Sequence, residues 1–151
     1  MTTGTGPTIE SEITWLLHRA AQRMHVVTGE HAENYGLQLR EYIILSAMQK
    51  TSGLTQVELA KTVGLDKTTL MSQLDRLEQQ GLIIRRPDPR DRRVRIPVIT
   101  PAGNDLRAQV ADASATAEAH ALSGFTADDV ATFRRMLFEI IGDSADPGSC
   151  L

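Results

Sequence analysis

Thr55-Gln56-Val57-Glu58-Leu59-Ala60-Lys61-Thr62-Val63-Gly64-Leu65-Asp66-Lys67-Thr68-Thr69-Leu70 is the stretch on which the reading of this chain turns. Thr55 and Glu58 have the spacing of a capping box, in which a hydroxyl and a carboxylate each take a backbone N–H at a helix start. A short helix follows, with Val57, Leu59, Ala60 and Val63 as core candidates, and Gly64 stops it. Asp66 can then cap a second helix over residues 67 to about 80. Leu70, Leu74 and Leu77 share one face of that helix. Thr68, Ser72, Asp75, Arg76 and Gln79 lie opposite, with Thr69 at the edge. Two amphipathic helices joined by a turn at Gly64-Leu65 make a helix–turn–helix pattern, whose second helix enters the DNA major groove.

Beyond this unit, Gly81 sits where a C′ glycine is wanted. Leu82 to Arg86 can extend, and Pro87-Asp88-Pro89-Arg90-Asp91 is turn chemistry. Val94, Ile96 and Val98 then alternate with Arg93, Arg95 and Pro97, so the segment reads as a hairpin with an arginine-rich tip. Pro97 cannot donate to a ladder and belongs on an edge or at a bulge. Thr100-Pro101 opens an alanine-rich helix to about residue 122, whose weak apolar face is Leu106, Val110, Ala113 and Ala117. Thr126 caps a last helix, expected to turn Val130, Phe133, Leu137 and Ile140 inward before Gly142 ends it.

On the N-terminal side, Tyr42, Leu45 and Met48 mark a helix over residues 39–50. Before it, Ile9, Ile13, Leu16, Leu17, Ala20, Met24 and Val27 predict a helix from about residue 8 to 34. A helix that long near a terminus packs readily on another chain, since one small domain cannot cover it. Residues 1–7 and 143–151 read as a disordered and a flexible tail.

The 151 residues fit a single domain. The net charge is -3, yet residues 85–95 hold six arginines against Asp88 and Asp91, a local +4 that leaves -7 on the remainder. One edge is basic and the rest acidic, as expected where one edge meets phosphate. Aromatic residues are 4% of the chain, too few for the stacking platforms of single-strand binders. The single cysteine, Cys150, allows no internal disulfide and fits a reducing compartment. No apolar run is long enough to span a membrane, and the N-terminus lacks the parts of a signal peptide, so the expected location is cytoplasmic.

The chemistry of the second helix suits a groove. Lys67, Thr68, Thr69 and Ser72 are short or flexible polar residues near its N-terminus, where the backbone approaches DNA. Gln73 and Arg76 are long enough to reach a base edge or a phosphate. Arg90, Arg92 and Arg93 at the hairpin tip suit the narrow minor groove. His18 and His25 are seven residues apart, roughly 10 Å along a helix, too far for one metal ion. No metal, cofactor or catalytic residue is expected: there is no phosphate-binding glycine loop and no nucleophile motif. The alternative to DNA binding is a winged-helix module that contacts proteins only.

Residues 54–103 resemble the core of the MarR family of winged helix–turn–helix regulators. The matching runs are Thr55-Gln56-Val57-Glu58-Leu59-Ala60, Gly64-Leu65-Asp66-Lys67-Thr68-Thr69-Leu70, Leu77-Glu78-Gln79-Gln80-Gly81-Leu82-Ile83, Asp88-Pro89-Arg90-Asp91-Arg92-Arg93 and Ile99-Thr100-Pro101-Ala102-Gly103. The flanking helices extend the likeness to roughly residues 8–142. The resemblance implies a mainly α fold with one domain over 8–142. In it, residues 37–99 form the winged-helix DNA-binding lobe, and 8–36 and 101–142 the long helices of a dimerisation layer. It also implies a homodimeric repressor on pseudo-palindromic double-stranded operator DNA, released by a small-molecule effector. Thr68, Thr69, Ser72 and Arg76 would face the groove. Asp91 would pair with Arg93 and hold it for the minor groove, with Arg90 beside it. The first helix would border the effector pocket, where Trp15, His18 and Arg19 would suit an anionic or aromatic compound. The other reading makes Trp15 an interface anchor and leaves the other two solvated.

Overall fold

The computed structural model describes residues 12–142. The helix expected over 8–11, the tails 1–7 and 143–151, and Cys150 lie outside the described residues. In chain order the elements are α1 (Ile13–Asn34), α2 (Leu39–Lys50), α3 (Gln56–Val63), α4 (Lys67–Gln79), β1 (Ile83–Asp88), β2 (Asp91–Ile99), α5 (Pro101–Ala121) and α6 (Ala127–Ile141). The architecture is mainly helical with one antiparallel hairpin, a winged helix–turn–helix.

Helices begin where short-range caps fall. Thr55 Oγ1 accepts the Glu58 N–H at 3.2 Å, and Glu58 Oε2 accepts the Thr55 N–H at 2.9 Å. Thr126 and Asp129 repeat the exchange at the head of α6, both bonds at 3.1 Å. Thr100 serves two elements: its Oγ1 accepts the Gly103 N–H at 3.1 Å and donates to the Gly81 carbonyl at 2.8 Å. That ties the start of α5 to the end of α4.

α2 is the hub, in contact with α1, α3, α4, α5 and β2, while α1 packs along α5. Ile44 and Leu45 of α2, Leu59 of α3, Leu70, Leu74 and Leu77 of α4, Ile83 of β1 and Val110 of α5 are all buried in one core. Full burial of each such leucine or isoleucine is worth about 1.5–3 kcal/mol. This aliphatic core holds α4 by the face the sequence assigned to it.

The hairpin pairs Ile83 with Ile99 and Arg85 with Pro97. A two-stranded sheet leaves each strand an unpaired edge, so Pro97 is accommodated without a ladder bond from its nitrogen. The turn is tighter than the sequence suggests. Pro87 and Asp88 stay in β1, Asp88 pairs with Asp91, and a register shift follows Pro87. Residues 92–94 are then left without a partner in that register.

Two core expectations fail. Val57 is 55% exposed, because it lies two residues, about 200° of helix, before the buried Leu59. On α6, Phe133 and Ile140 are 45% and 63% exposed and no residue is buried. α6 has little contact with any other element of its own chain, so nothing stands over its apolar side. Ile13 and Leu16 on α1 are exposed too.

Candidate nucleic-acid interface

The orientation of α4 is set at its entry. Gly64 ends α3 in the left-handed region at φ 70°, and the Leu65 N–H turns back onto the Ala60 carbonyl at 3.0 Å. A side chain with a Cβ is disfavoured at that φ. Leu65 is buried beneath the turn. Asp66 then caps α4: Oδ1 accepts the Thr69 N–H at 2.8 Å and Oδ2 accepts from Thr69 Oγ1 at 2.7 Å. These bonds, the hydroxyl's first and then the backbone's, hold the Asp66 carboxyl below its ordinary value of 3.8.

With the leucine face buried, Lys67, Thr68, Met71, Ser72, Asp75, Arg76 and Gln79 line one shallow outer surface. Lys67, Thr68, Ser72 and Arg76 are therefore brought together as expected. Thr69 is half-buried, with its hydroxyl spent on Asp66. Gln73 contradicts the expectation: it is 7% exposed, and its Oε1 is buried with no hydrogen-bond partner. Its place between Leu70, Leu74 and Leu77 on the helix turns it toward the core. Length alone had made it a candidate. Met71, an unforeseen member of the outer surface, adds an apolar contact there.

At the wing, Arg90, Arg92 and Arg93 are all exposed. Asp88 is buried and accepts the Arg90 N–H at 2.9 Å, with the Arg90 guanidinium 3.2 Å from its Oδ2. The guanidinium first, then the backbone N–H, lowers the Asp88 pKa from 3.8. Asp91 does not pair with the Arg93 side chain. Its Oδ1 takes the Arg93 backbone N–H at 3.0 Å, the local turn geometry a short carboxylate favours two residues ahead. Asp88 is thus the carboxylate that orients a wing guanidinium. The sequence carried that signal in the same Asp-x-Arg spacing, one motif earlier.

Arg85 ties the wing to α4. Its Nη2 donates to Asp75 Oδ1 at 2.6 Å and its Nε to Glu78. Burial lowers the pKa of this guanidinium, and the two carboxylates outweigh that and raise it. Behind the outer surface, Arg76 Nη2 reaches Oε1 of Glu41 on α2 at 3.3 Å. No sequence spacing relates these residues.

A family model described as "MarR family" matches residues 35–94, which span α2, α3, α4, β1 and the first part of β2. The X-ray structure of a MarR-family transcriptional regulator from Rhodococcus sp. RHA1 superposes with TM-score 0.86 at 26% identity, covering 92% of this chain and 99% of that one. By these matches the chain is similar to MarR-family regulators. CouR from Rhodococcus jostii RHA1, bound to p-coumaroyl-CoA, is 27% identical with TM-score 0.80 over 95% of this chain and 99% of its own. The multiple antibiotic resistance protein MarR of Escherichia coli (strain K12) is 26% identical over 136 residues, 83% of this chain and 88% of that protein. MarR-family proteins are transcriptional regulators rather than enzymes.

The three residues expected at an effector pocket, Trp15, His18 and Arg19, share one side of α1. Trp15 is half-buried, His18 is exposed, and Arg19 is exposed with Nη1 on Gln22 Oε1 at 2.7 Å. Among the described residues no helix is long and apolar enough to cross a membrane. Among them, too, no group of three His, Cys, Asp or Glu side chains could hold a metal ion.

Proposed function

We propose that this protein is a MarR-type homodimeric, sequence-specific repressor with no enzymatic activity of its own, acting in the cytoplasm. It binds pseudo-palindromic operator DNA through α4 and the wing and leaves it when a small anionic or aromatic compound binds. Residues 37–99 are the DNA-binding lobe, and residues 8–36 and 101–142 the dimerisation layer. The observation that carries this reading is the outer face of α4. Lys67, Thr68, Ser72 and Arg76 stand together there, on a helix whose other face is locked into the core. Beside it the wing presents Arg90, Arg92 and Arg93. The first face supplies donors for the major groove and the second charge for the minor groove and backbone.

The exposed apolar side of α6, with Phe133, Met136 and Ile140, supports a second copy as its cover. CouR, bound to an acyl-CoA thioester of an aromatic acid, supports an anionic or aromatic effector for this relative. Trp15, His18 and Arg19 on α1 are the residues proposed to meet it.

The test is a fluorescence-anisotropy titration against the promoter duplex upstream of the protein's own gene, at several salt concentrations. Tight binding whose log K falls steeply with log salt is the expected result. No binding at low salt, to that duplex or to a random one, would remove the repressor reading and favour a protein-interaction module.

A further inference from the structure

Arg76 does not stand alone on the outer face of α4. Its partner, Glu41, has a side chain 0% exposed, whereas the Arg76 side chain keeps 46% of its surface in solvent. The Glu41 Oε1 that meets Arg76 also accepts the Gln38 N–H at 3.0 Å, so the first turn of α2 fixes the carboxylate. Its Oε2 is buried with no hydrogen-bond partner. A charge buried with half its acceptors unmet is a costly way to hold a helix start. The cap alone would be served as well by a glutamine, which carries no charge. The charge has one visible recipient, the guanidinium on the DNA-facing helix.

We propose that Glu41 is a positioning residue for base recognition, neutralising and aiming Arg76 so that its guanidinium acts as a fixed hydrogen-bond donor rather than as a free charge for phosphate. The proposal rests on the DNA-binding reading above. An unpaired surface arginine gains from any phosphate in reach, equally on every sequence, and displaces a counterion in doing so. An arginine already met by a carboxylate displaces little counterion. Its remaining N–H groups keep one orientation, which is what discrimination between base edges needs. Because Glu41 sits in the first turn of α2, just after the buried Leu37 that follows α1, a shift at the α1–α2 junction would reach the groove through this pair.

Arg76→Gln is the first test, since residue 76 is partly solvated; because it takes the guanidinium from the buried Glu41 carboxylate, the unfolding midpoint is measured alongside to show that the variant is folded. Wild type and variant are titrated against the promoter duplex and a random duplex of equal length, across a salt series. The expected loss is about 5- to 150-fold on the promoter duplex, with the random duplex and the salt slope unchanged. Equal weakening on both duplexes with a slope shallower by about 1 makes Arg76 a phosphate contact and overturns the proposal. No change on either duplex overturns it too. Glu41→Gln keeps the cap and removes the charge. It is expected to steepen the slope by about 1 and to narrow the promoter-over-random ratio, and to do neither in an Arg76→Gln background. A folded Glu41→Gln protein with slope and ratio unchanged overturns the role of Glu41. Should that variant not fold, the Arg76→Gln outcome decides by itself. Wild-type protein that binds neither duplex overturns the DNA-binding reading and the proposal together, a result distinct from wild-type binding with aberrant variants.

Discussion

Gly103 shows how one residue can join two elements. A Cβ there would lie 2.1 Å from the Leu82 carbonyl oxygen and 3.0 Å from Ile99 Cγ1. The Leu82 backbone cannot step aside freely and Ile99 is packed against the core, so Gly103→Ala is expected to cost about 1–3 kcal/mol, read as a lower midpoint in thermal or denaturant unfolding. An unchanged midpoint would show that α5 can slide from the wing base. Three carboxylates set the acid limit at the same scale. Asp66, Asp88 and Asp129 are held below 3.8, each by a side-chain partner first (Thr69, Arg90 and Thr126 respectively) and then by a backbone N–H. A folded pKa below the unfolded one gives stability that is present above the unfolded value and lost as pH falls through the folded one. Their joint contribution is therefore expected to be flat at neutral pH and to decline below about pH 4. Asp88→Asn should remove its share of that decline in urea titrations run between neutral and acid pH. A decline identical to wild type would deny the Asp88–Arg90 pair any part in stability.

At the scale of elements, α4 and the wing work as one surface because Arg85 bridges Asp75 and Glu78. Without Arg85 two carboxylates would face the phosphates unneutralised. Arg85→Met is thus expected to weaken binding to all duplexes several-fold and to loosen the wing, measurable as faster amide exchange across β1 and β2. Binding and exchange at wild-type levels would make the bridge incidental. The wing tip makes its own contribution. Arg93→Ala, at an exposed position, should weaken promoter binding while leaving the unfolding midpoint in place. Wild-type affinity in that variant would take the wing tip out of the mechanism. The burial of Gln73 belongs here as well: a helix that packs three leucines inward also carries inward whatever polar residue stands between them.

The molecule as a whole is unfinished as a single chain. Phe133, Met136, Phe138, Ile140 and Ile141 leave α6 with a large exposed apolar surface and no buried residue. Contiguous exposed apolar surface of this kind marks an association site. Sedimentation is expected to give a dimer of the 16.6 kDa chain. Phe133→Glu should shift the protein toward monomer and weaken DNA binding with it, since paired half-sites need two recognition helices at a fixed spacing. A monomer that keeps full affinity would separate the α6 surface from DNA binding.

How much of this was legible beforehand depended on distance along the chain. The heads of α3, α4, α5 and α6 are set by bonds spanning three residues, from Thr55, Asp66, Thr100 and Thr126, and such spacing can be read directly. The leucine face of α4, its threonine and serine face and the arginine-rich hairpin were readable for the same reason: helix and strand periods are local. The Asp-x-Arg spacing occurs at both Asp88 and Asp91, and only the fold shows that Asp88 is the one that meets a guanidinium. By contrast, Glu41 meets Arg76 across 35 residues, and Arg85 meets Asp75 across 10. Gly103 is required by a carbonyl 21 positions away, at Leu82. No local period encodes those meetings; they exist only because α2, α4 and the hairpin pack as they do around one core. The sequence by itself therefore determined the elements and the chemistry each could offer. Tertiary packing decided which side chains stay on the outer face of α4, and brought Glu41 to Arg76 and Arg85 to Asp75 and Glu78.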